Sequence, residues 1–434
     1  MRLPRRGLDN AMKLGAAALS KRFYQLRALT RKLWIRAALI AGLAVVAALV
    51  SRPIAPLVPQ WMAEKFSAGD VSNILEILAS SMLAVTIFSL SVMVSARQSA
   101  SSQVTPRSHQ VLIQDTTTQT VLATFLGAFV FALVGLIVLG TGVYSGQSPT
   151  VILFFTLLVI GLVVVAILRW IDHLSDLGSV VATSGKIEDV AQRAIDARNR
   201  WPCLGARPLS RDLIIPGAAR ELLAWETGYV QHIDLAALEE CCKDGGLVYI
   251  LRSPGTLASE GTPILRYAGE MDVARLRHAF TLSTQRNFDQ DPRFGAIVLS
   301  EIAQRALSPG INDPGTAIDV LSRLQRVLHG FRAQQGDEEE IHFPHVWMEP
   351  VSAEDLMRDA IDPIARDGAG NVEVQVRLHK MLREVSRNGD AEMRRAAQAA
   401  SARALGMALP KQLLDEHCER LRALALTQEP AEAA

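Results

Sequence analysis

"ILEILASSMLAVTIFSLSVMVSARQSASSQ", residues 74–103, opens with an apolar run and then carries more hydroxyls than a lipid-facing helix needs. At about 1.5 Å per residue, the run 74–96 is long enough to cross a hydrocarbon core of about 30 Å. At about 100° per residue, Ser80, Ala84, Ser91, Ser95, Gln98 and Ser102 fall within about 60° of one another. They form one small, polar stripe that continues out of the membrane toward Pro106. Small hydroxyl residues let helices approach closely and hydrogen-bond across, which is ordinary bundle packing. The same stripe also suits the wall of a water-filled path between subunits. Glu76, the one acidic residue of the run, falls at its outer end, at a pore mouth or in the headgroups.

Working outward, three more apolar runs stand at about 33–51, 120–144 and 150–169. The 434-residue chain is 49% hydrophobic, with a mean hydropathy of +0.19, which is high for a soluble protein. Four transmembrane helices are therefore expected over 33–170. The first contains Arg36, close enough to its start to snorkel. The third has a small face of Thr124, Ala128, Ala132 and Gly135, expected to be a helix-packing seam. The spans show no inverted repeat.

Net charge is +1, but residues 1–36 hold ten Lys/Arg against Asp9, about +9, leaving about −8 for the rest. The loop 52–73 carries only Arg52 and Lys65, and 145–149 has no charge. Lys/Arg asymmetry thus places both termini on the cytoplasmic side of the inner (plasma) membrane. The basic region is too long for a secretory signal. Residues 1–32 form a basic arm in which Leu19, Phe23 and Leu26 share a helical face among Lys and Arg. The arm is either an interfacial helix on anionic lipid or a purely topogenic signal. The four cysteines form no C-x-x-C pair, so free thiols in a reducing compartment are expected.

After the spans, 171–201 reads as an amphipathic stalk helix. Residues 202–270 read as a small β-rich module: "ARELLAW", "GYVQHID", "LVYILRS" and "TPILRY" are strand-like, and Asp234 caps a short helix that ends at Gly245. Residues 271–426 read as mainly helical, with "IHFPHVWMEPV" extended, and 427–434 as a disordered tail. The expected fold is an α-helical membrane protein with a cytoplasmic α+β C-terminal domain.

No catalytic signature is found. "SGKIED" lacks the upstream glycine of a phosphate cradle, and "DGAGN" (367–371) reads as a turn. No G-x-S-x-G elbow or H-E-x-x-H is present. His342, His345 and Glu340 are the only metal-like cluster, but side chains at i and i+3 of an extended segment point to opposite faces. No metal, cofactor or nucleic-acid partner is expected, and the chain is not read as an enzyme. Two polar clusters remain as ligand or interface candidates: Arg286, Asp289, Gln290 and Asp291 before one helix, and Arg305, Ser308, Asn312 and Asp313 after it. Asp291–Pro292, Asp313–Pro314 and Asp362–Pro363 each look like an N-cap followed by proline at the first helical position. Capping accounts for most of "RALSPGINDPGTA" (305–317) but not for Asn312.

"SMLAVTIFSLSVMVSARQSASSQVTPRSHQVLIQD" and "QDPRFGAIVLSEIAQRALSPGINDPGTAIDVLSRL" together resemble a bacterial membrane-protein family, domain of unknown function 2254. The resemblance covers about residues 30–420; "SSQ…PR" and "ALSPGINDP…TA" are its distinctive elements. It implies a four-span protein with a cytoplasmic C-terminal domain and supplies no activity. The leading expectation is a homo-oligomeric channel-like or transport-like protein, its second span lining a path for an ion or small ligand and its cytoplasmic domain assembling and gating it. The alternative is a membrane-anchored sensor or scaffold that transports nothing and binds a ligand or partner through its cytoplasmic domain.

Overall fold

The computed structural model describes residues 33–54, 68–103, 105–108, 116–141, 148–176, 179–210, 212–243, 245–332 and 341–426. The basic arm 1–32, Glu340 and the tail 427–434 lie outside the described residues. The chain divides into two units: Met1–Ala100 with Leu112–Ser179, and Ser101–Val111 with Val180–Ala434.

The first unit contains α1 (Leu33–Ile54), α2 (Ala68–Gln103), α3 (Thr116–Gly140) and α4 (Ser148–Asp176). Among the described residues three stretches are long and apolar enough to cross a membrane: Ala68–Ala96, Thr117–Gly140 and Thr150–Leu174. Four were expected, and α1 is the difference. Several side chains of α1, Arg36 and Arg52 among them, lie outside the described residues.

Glycines of α3 set the helix packing. A Cβ at Gly127 would lie 2.6 Å from Ile40 Cβ and 3.0 Å from the Ala37 carbonyl, so α1 lies directly on α3 there. A Cβ at Gly135 would lie 3.0 Å from Leu75 of α2. Ala128 and Ala132 are fully buried, and Thr124 is nearly so. The small face of the third span is thus a packing seam, as small residues allow in a bilayer. Leu75, Met82, Phe125, Phe131, Val159 and Trp170 lie in the core of this unit.

The second unit has two cores. α5 (Val180–Arg200) is amphipathic, and its apolar face does not stand free as a stalk. Ile187, Ala191 and Ile195 are buried in the helical core. A Cβ at Gly295 would lie 2.4 Å from that of Ala191, so close approach requires glycine there. Trp201 then leads into a left-handed pair, Cys203 (φ 51°) and Leu204 (φ 58°), before β1 (Ala206–Pro208).

The β-rich part comprises β2 (Arg220–Leu223), β3 (Gly228–Ile233), α6 (Leu235–Cys241), β4 (Leu247–Ile250), β5 (Leu257–Ala258), β6 (Pro263–Ala268), α7 (Val273–His278) and β7 (Phe280–Ser283). The Asp234 side chain caps α6 by accepting from the Ala237 N–H at 3.0 Å. A distant strand, β8 (Phe343–Met348), completes it. One mixed sheet has the order β1-β8-β4-β6-β2, and a second, antiparallel one the order β5-β3-β7. The expected boundary at 270 therefore falls short. β7 closes the small sheet, and β8 sits between β1 and β4, parallel to both. β2 and β3, adjacent in sequence, belong to different sheets.

The helical part comprises α8 (Pro292–Ala306), α9 (Pro314–His329), α10 (Ala353–Asp367), α11 (Val372–Asn388), α12 (Ala391–Ala408) and α13 (Asp415–Leu424). "DGAGN" is a turn: Asp367 ends α10, and Asn371 caps α11 through the Val374 N–H. One expected cap is corrected. Asp362 does not begin a helix; α10 starts from Ser352, and Pro363 lies inside it. The Asp362 carboxylate instead accepts from Arg403 Nε at 3.0 and 3.1 Å.

Candidate functional site

In the first unit, the described stripe residues are all on the surface. Ser80, Ala84, Ser91, Ser95 and Gln98 are exposed, as is Glu76, while the side chain of Ser102 lies outside the described residues. The opposite face of α2 is buried through Val71, Leu75, Leu78, Ala79 and Met82. Only 22% of the most apolar window of α2 is buried, against 50% for α3 and 39% for α4, so α2 is the least enclosed of the three spans. Two hydroxyls turn their hydrogens inward: Ser80 Oγ donates to the Ile77 carbonyl at 3.1 Å and Ser91 Oγ to that of Ile87 at 3.0 Å. The oxygen lone pairs of these two serines remain as acceptors.

In the second unit, the cluster before α8 is a buried polar junction. Asp291 caps α8 by accepting from the N–H groups of Arg293 and Phe294 at 3.1 and 3.2 Å. Its other oxygen accepts from Arg286 at 2.5 and 2.9 Å. Burial pushes the Asp291 carboxyl up, against the opposing pull of Arg286 and the two amides. The Arg286 guanidinium also lies 5.0 Å from the centre of the Phe294 ring. Gln290 makes both side-chain bonds to the backbone of Ile233 in β3, at 2.8 and 3.1 Å. Arg198 of α5 is buried and donates to the Gln290 carbonyl at 2.8 Å; burial lowers its pKa to about 10, which still leaves it charged. Arg293 reaches Asp359 at 2.7 Å and Asp355 at 3.0 Å. Three arginines thus face three aspartates, and the cluster ties α5, the small sheet, α8 and α10 together. Asp289 is exposed beside it.

The cluster after α8 is a corner. Asn312 adopts φ 49°, the left-handed conformation that asparagine tolerates better than other non-glycine residues. Its N–H and that of Ile311 donate to the Ser308 carbonyl, and the Asp313 N–H donates back to the Ala306 carbonyl at 2.8 Å. Ser308 Oγ donates to the Arg305 carbonyl at 2.7 Å. The Asp313 side chain caps α9, accepting from Thr316 Oγ1 at 2.6 Å and the Thr316 N–H at 3.0 Å, bonds that hold its pKa low. The 15 residues of α8 keep this corner about 22 Å from the Asp291 junction. The two clusters do not converge on one pocket within the chain.

A contact that no local sequence signal discloses joins the two distinctive stretches. Arg107, in the turn after α2, forms an ion pair with Glu301 of α8. Thr105, Pro106, Arg107, Glu301 and Gln304 line an open depression of about 380 Å³ beside it. Both stretches lie in a region, residues 30–384, that matches the predicted membrane proteins designated DUF2254. The chain belongs to the DUF2254 family. An uncharacterized protein of Mycobacterium bovis is 27% identical over 273 residues, 60% of this chain and 52% of that protein. Two uncharacterized proteins of Mycobacterium tuberculosis match to the same extent. The chain spans about half the length of the curated relatives it matches. No solved structure matches it significantly.

Elsewhere in this DUF2254 protein, polar groups serve the fold. His342 packs at a tilt of 57° against Trp201 with ring centres 4.1 Å apart, whereas His345 Nδ1 lies 2.6 Å from Glu239, so the two histidines are committed to different partners. Although burial acts to raise it, the Glu188 carboxyl is held low by Arg326 and Arg323. Burial pushes Cys203 up to about 11 and Cys242 up to about 12, which leaves both as inert thiols. His379 Nδ1 lies 3.0 Å from Ser401 Oγ, a serine–histidine pair by type, but both side chains are fully buried and out of reach of a substrate.

Proposed function

We propose that this membrane protein assembles as a homo-oligomer in which α2 lines a path for small cations, making it channel-like or transport-like. The observation that carries the reading is the exposed stripe Ser80–Ala84–Ser91–Ser95–Gln98 on the least buried span. Among the described residues nothing covers this polar strip, and neighbouring copies would do so. Hydroxyl hydrogens donated inward leave oxygen lone pairs as acceptors, which favours cations over anions. Glu76 adds an exposed carboxylate near the start of α2. In this arrangement α1 is a fourth crossing. The termini and the second unit are cytoplasmic, as the Lys/Arg bias of the loops favours.

The test is cation flux into proteoliposomes holding the purified full-length protein, combined with its mass in detergent. An oligomer with flux is expected, and Ser91→Leu or Ser95→Leu should cut that flux by roughly tenfold or more while Ser91→Ala preserves most of it. A monomer with no flux in any cation gradient would overturn the proposal.

A further inference from the structure

We infer that the turn Thr105–Ser108 is a latch by which the second unit holds the end of α2, with Arg107–Glu301 as its charged catch. The latch stands on contacts inside the second unit, and only its consequence for transport rests on the proposed function.

The helix it holds is stiff. α2 runs unbroken over 36 residues, about 54 Å, well beyond a hydrocarbon core of about 30 Å. From Asp70 to Gln103 it contains neither glycine nor proline, the residues at which helices most often kink. Its last residues, Ser101–Gln103, already belong to the second unit, as does the rest of the segment to Val111. In the sequence the same segment precedes α3.

The turn itself is docked. The Thr105 carbonyl accepts from the Ser108 N–H at 3.1 Å and from Ser108 Oγ at 2.5 Å, and Pro106 fixes the backbone between them. Ser108 is fully buried and Thr105 nearly so, which a solvent-borne loop of polar residues would not show. Glu301 is a firm anchor because its neighbours on α8, Val298, Leu299 and Ile302, are in the helical core. The ion pair is different in kind. The Arg107 side chain is 49% exposed and that of Glu301 23%, beside an open depression. Such a pair is weak and screened by salt, which suits a catch that releases rather than a permanent strut.

The experiment uses full-length protein in proteoliposomes with Gln98→Cys as a single-cysteine reporter near the end of α2, the four native cysteines being replaced by serine or alanine. Hydrogen exchange over 101–111 reports docking, and maleimide labelling at position 98 reports α2. Arg107→Glu is expected to speed exchange about two- to fivefold, the range for losing an exposed ion pair, and to change labelling to a similar extent. Adding Glu301→Arg should restore both. Arg107→Gln gives the milder form of the same test should the reversal impair folding. Raising NaCl from ~50 to ~500 mM should speed exchange in the reporter protein but not in the Arg107→Glu variant. Unchanged exchange in both Arg107 variants, or no restoration by the swap, overturns the latch. Altered exchange with unaltered labelling overturns the coupling to α2. If exchange and labelling respond as expected while the protein with its native cysteines carries no flux, transport fails and the latch stands.

Discussion

Gly255 adopts φ +88°, and a Cβ there would sit 2.1 Å from Asp291 Oδ2 and 2.9 Å from a terminal nitrogen of Arg286. A side chain at this position must both strain the backbone and part a buried ion pair whose aspartate is 3% exposed. Gly255→Ala should therefore destabilise the second unit by about 2–4 kcal/mol, read as a lower urea midpoint by tryptophan fluorescence. A loss below about 0.5 kcal/mol would show that the loop simply moves aside. Asn312 offers the opposite case. Its side chain is exposed and only its backbone is special. Asn312→Gly should cost almost nothing, whereas Asn312→Val should lose about 1–2 kcal/mol because a β-branched residue resists the left-handed region. This accounts for the one residue of "RALSPGINDPGTA" that helix capping leaves unexplained.

Elements are readable from sequence where their cause is local. α8 and α9 announce themselves through apolar residues at three- and four-residue spacing, and their caps Asp291 and Asp313 through the adjoining proline. β8 reads as extended, but its partners lie over 90 residues away in β4 and about 135 away in β1, and no local signal carries that pairing. The Asp291 junction is only half legible for the same reason: Arg286, Gln290 and Asp291 stand together in the sequence, whereas Arg198, Ile233, Gly255 and Asp359 reach it from four separate segments. The stripe of α2 is legible because it needs only the helical period, although which surface it meets is a matter of assembly. Asp362–Pro363 shows a local signal with two structural uses. At a true N-cap, asparagine replaces aspartate with little loss. At the Arg403 ion pair it should not, because the charge is what binds. We therefore expect Asp362→Asn and Asp362→Ala to lose similar stability, about 1–3 kcal/mol each, in urea denaturation. Full retention of stability by the asparagine variant would return Asp362 to a capping role.

At the scale of the molecule, acid acts on the second unit through a buried histidine. The second unit buries His379 between α11 and α12, where its Nδ1 meets Ser401 Oγ, an oxygen that also accepts from the Leu426 N–H at 3.0 Å. Burial first, and the nearby Arg383 charge second, push the His379 pKa down to about 4. An unfolded chain's imidazole titrates near 6.5. Between those values the unfolded state holds the proton and the folded state does not, so stability falls as pH falls from about 6.5 to about 4 and the contribution levels off below that. The full effect is on the order of 3 kcal/mol, since a tenfold change in proton affinity corresponds to about 1.4 kcal/mol. Glu188 and Asp313, both held below the usual carboxylate range, lose their contributions at lower pH, whereas Asp291, pushed up by burial, acts in the opposite sense. Both effects are common to the native chain and a His379 variant, so the difference between the two proteins isolates the imidazole. Urea midpoints of the full-length protein in micelles, taken from pH 7.5 to 4, should decline for the native chain. His379→Gln, which keeps a polar group toward Ser401 but cannot take the proton, should flatten the decline between about pH 6.5 and 4. Parallel curves for the two proteins would mean that His379 is hydrated or freely protonated in solution, and the acid sensitivity would then belong to the carboxylates alone.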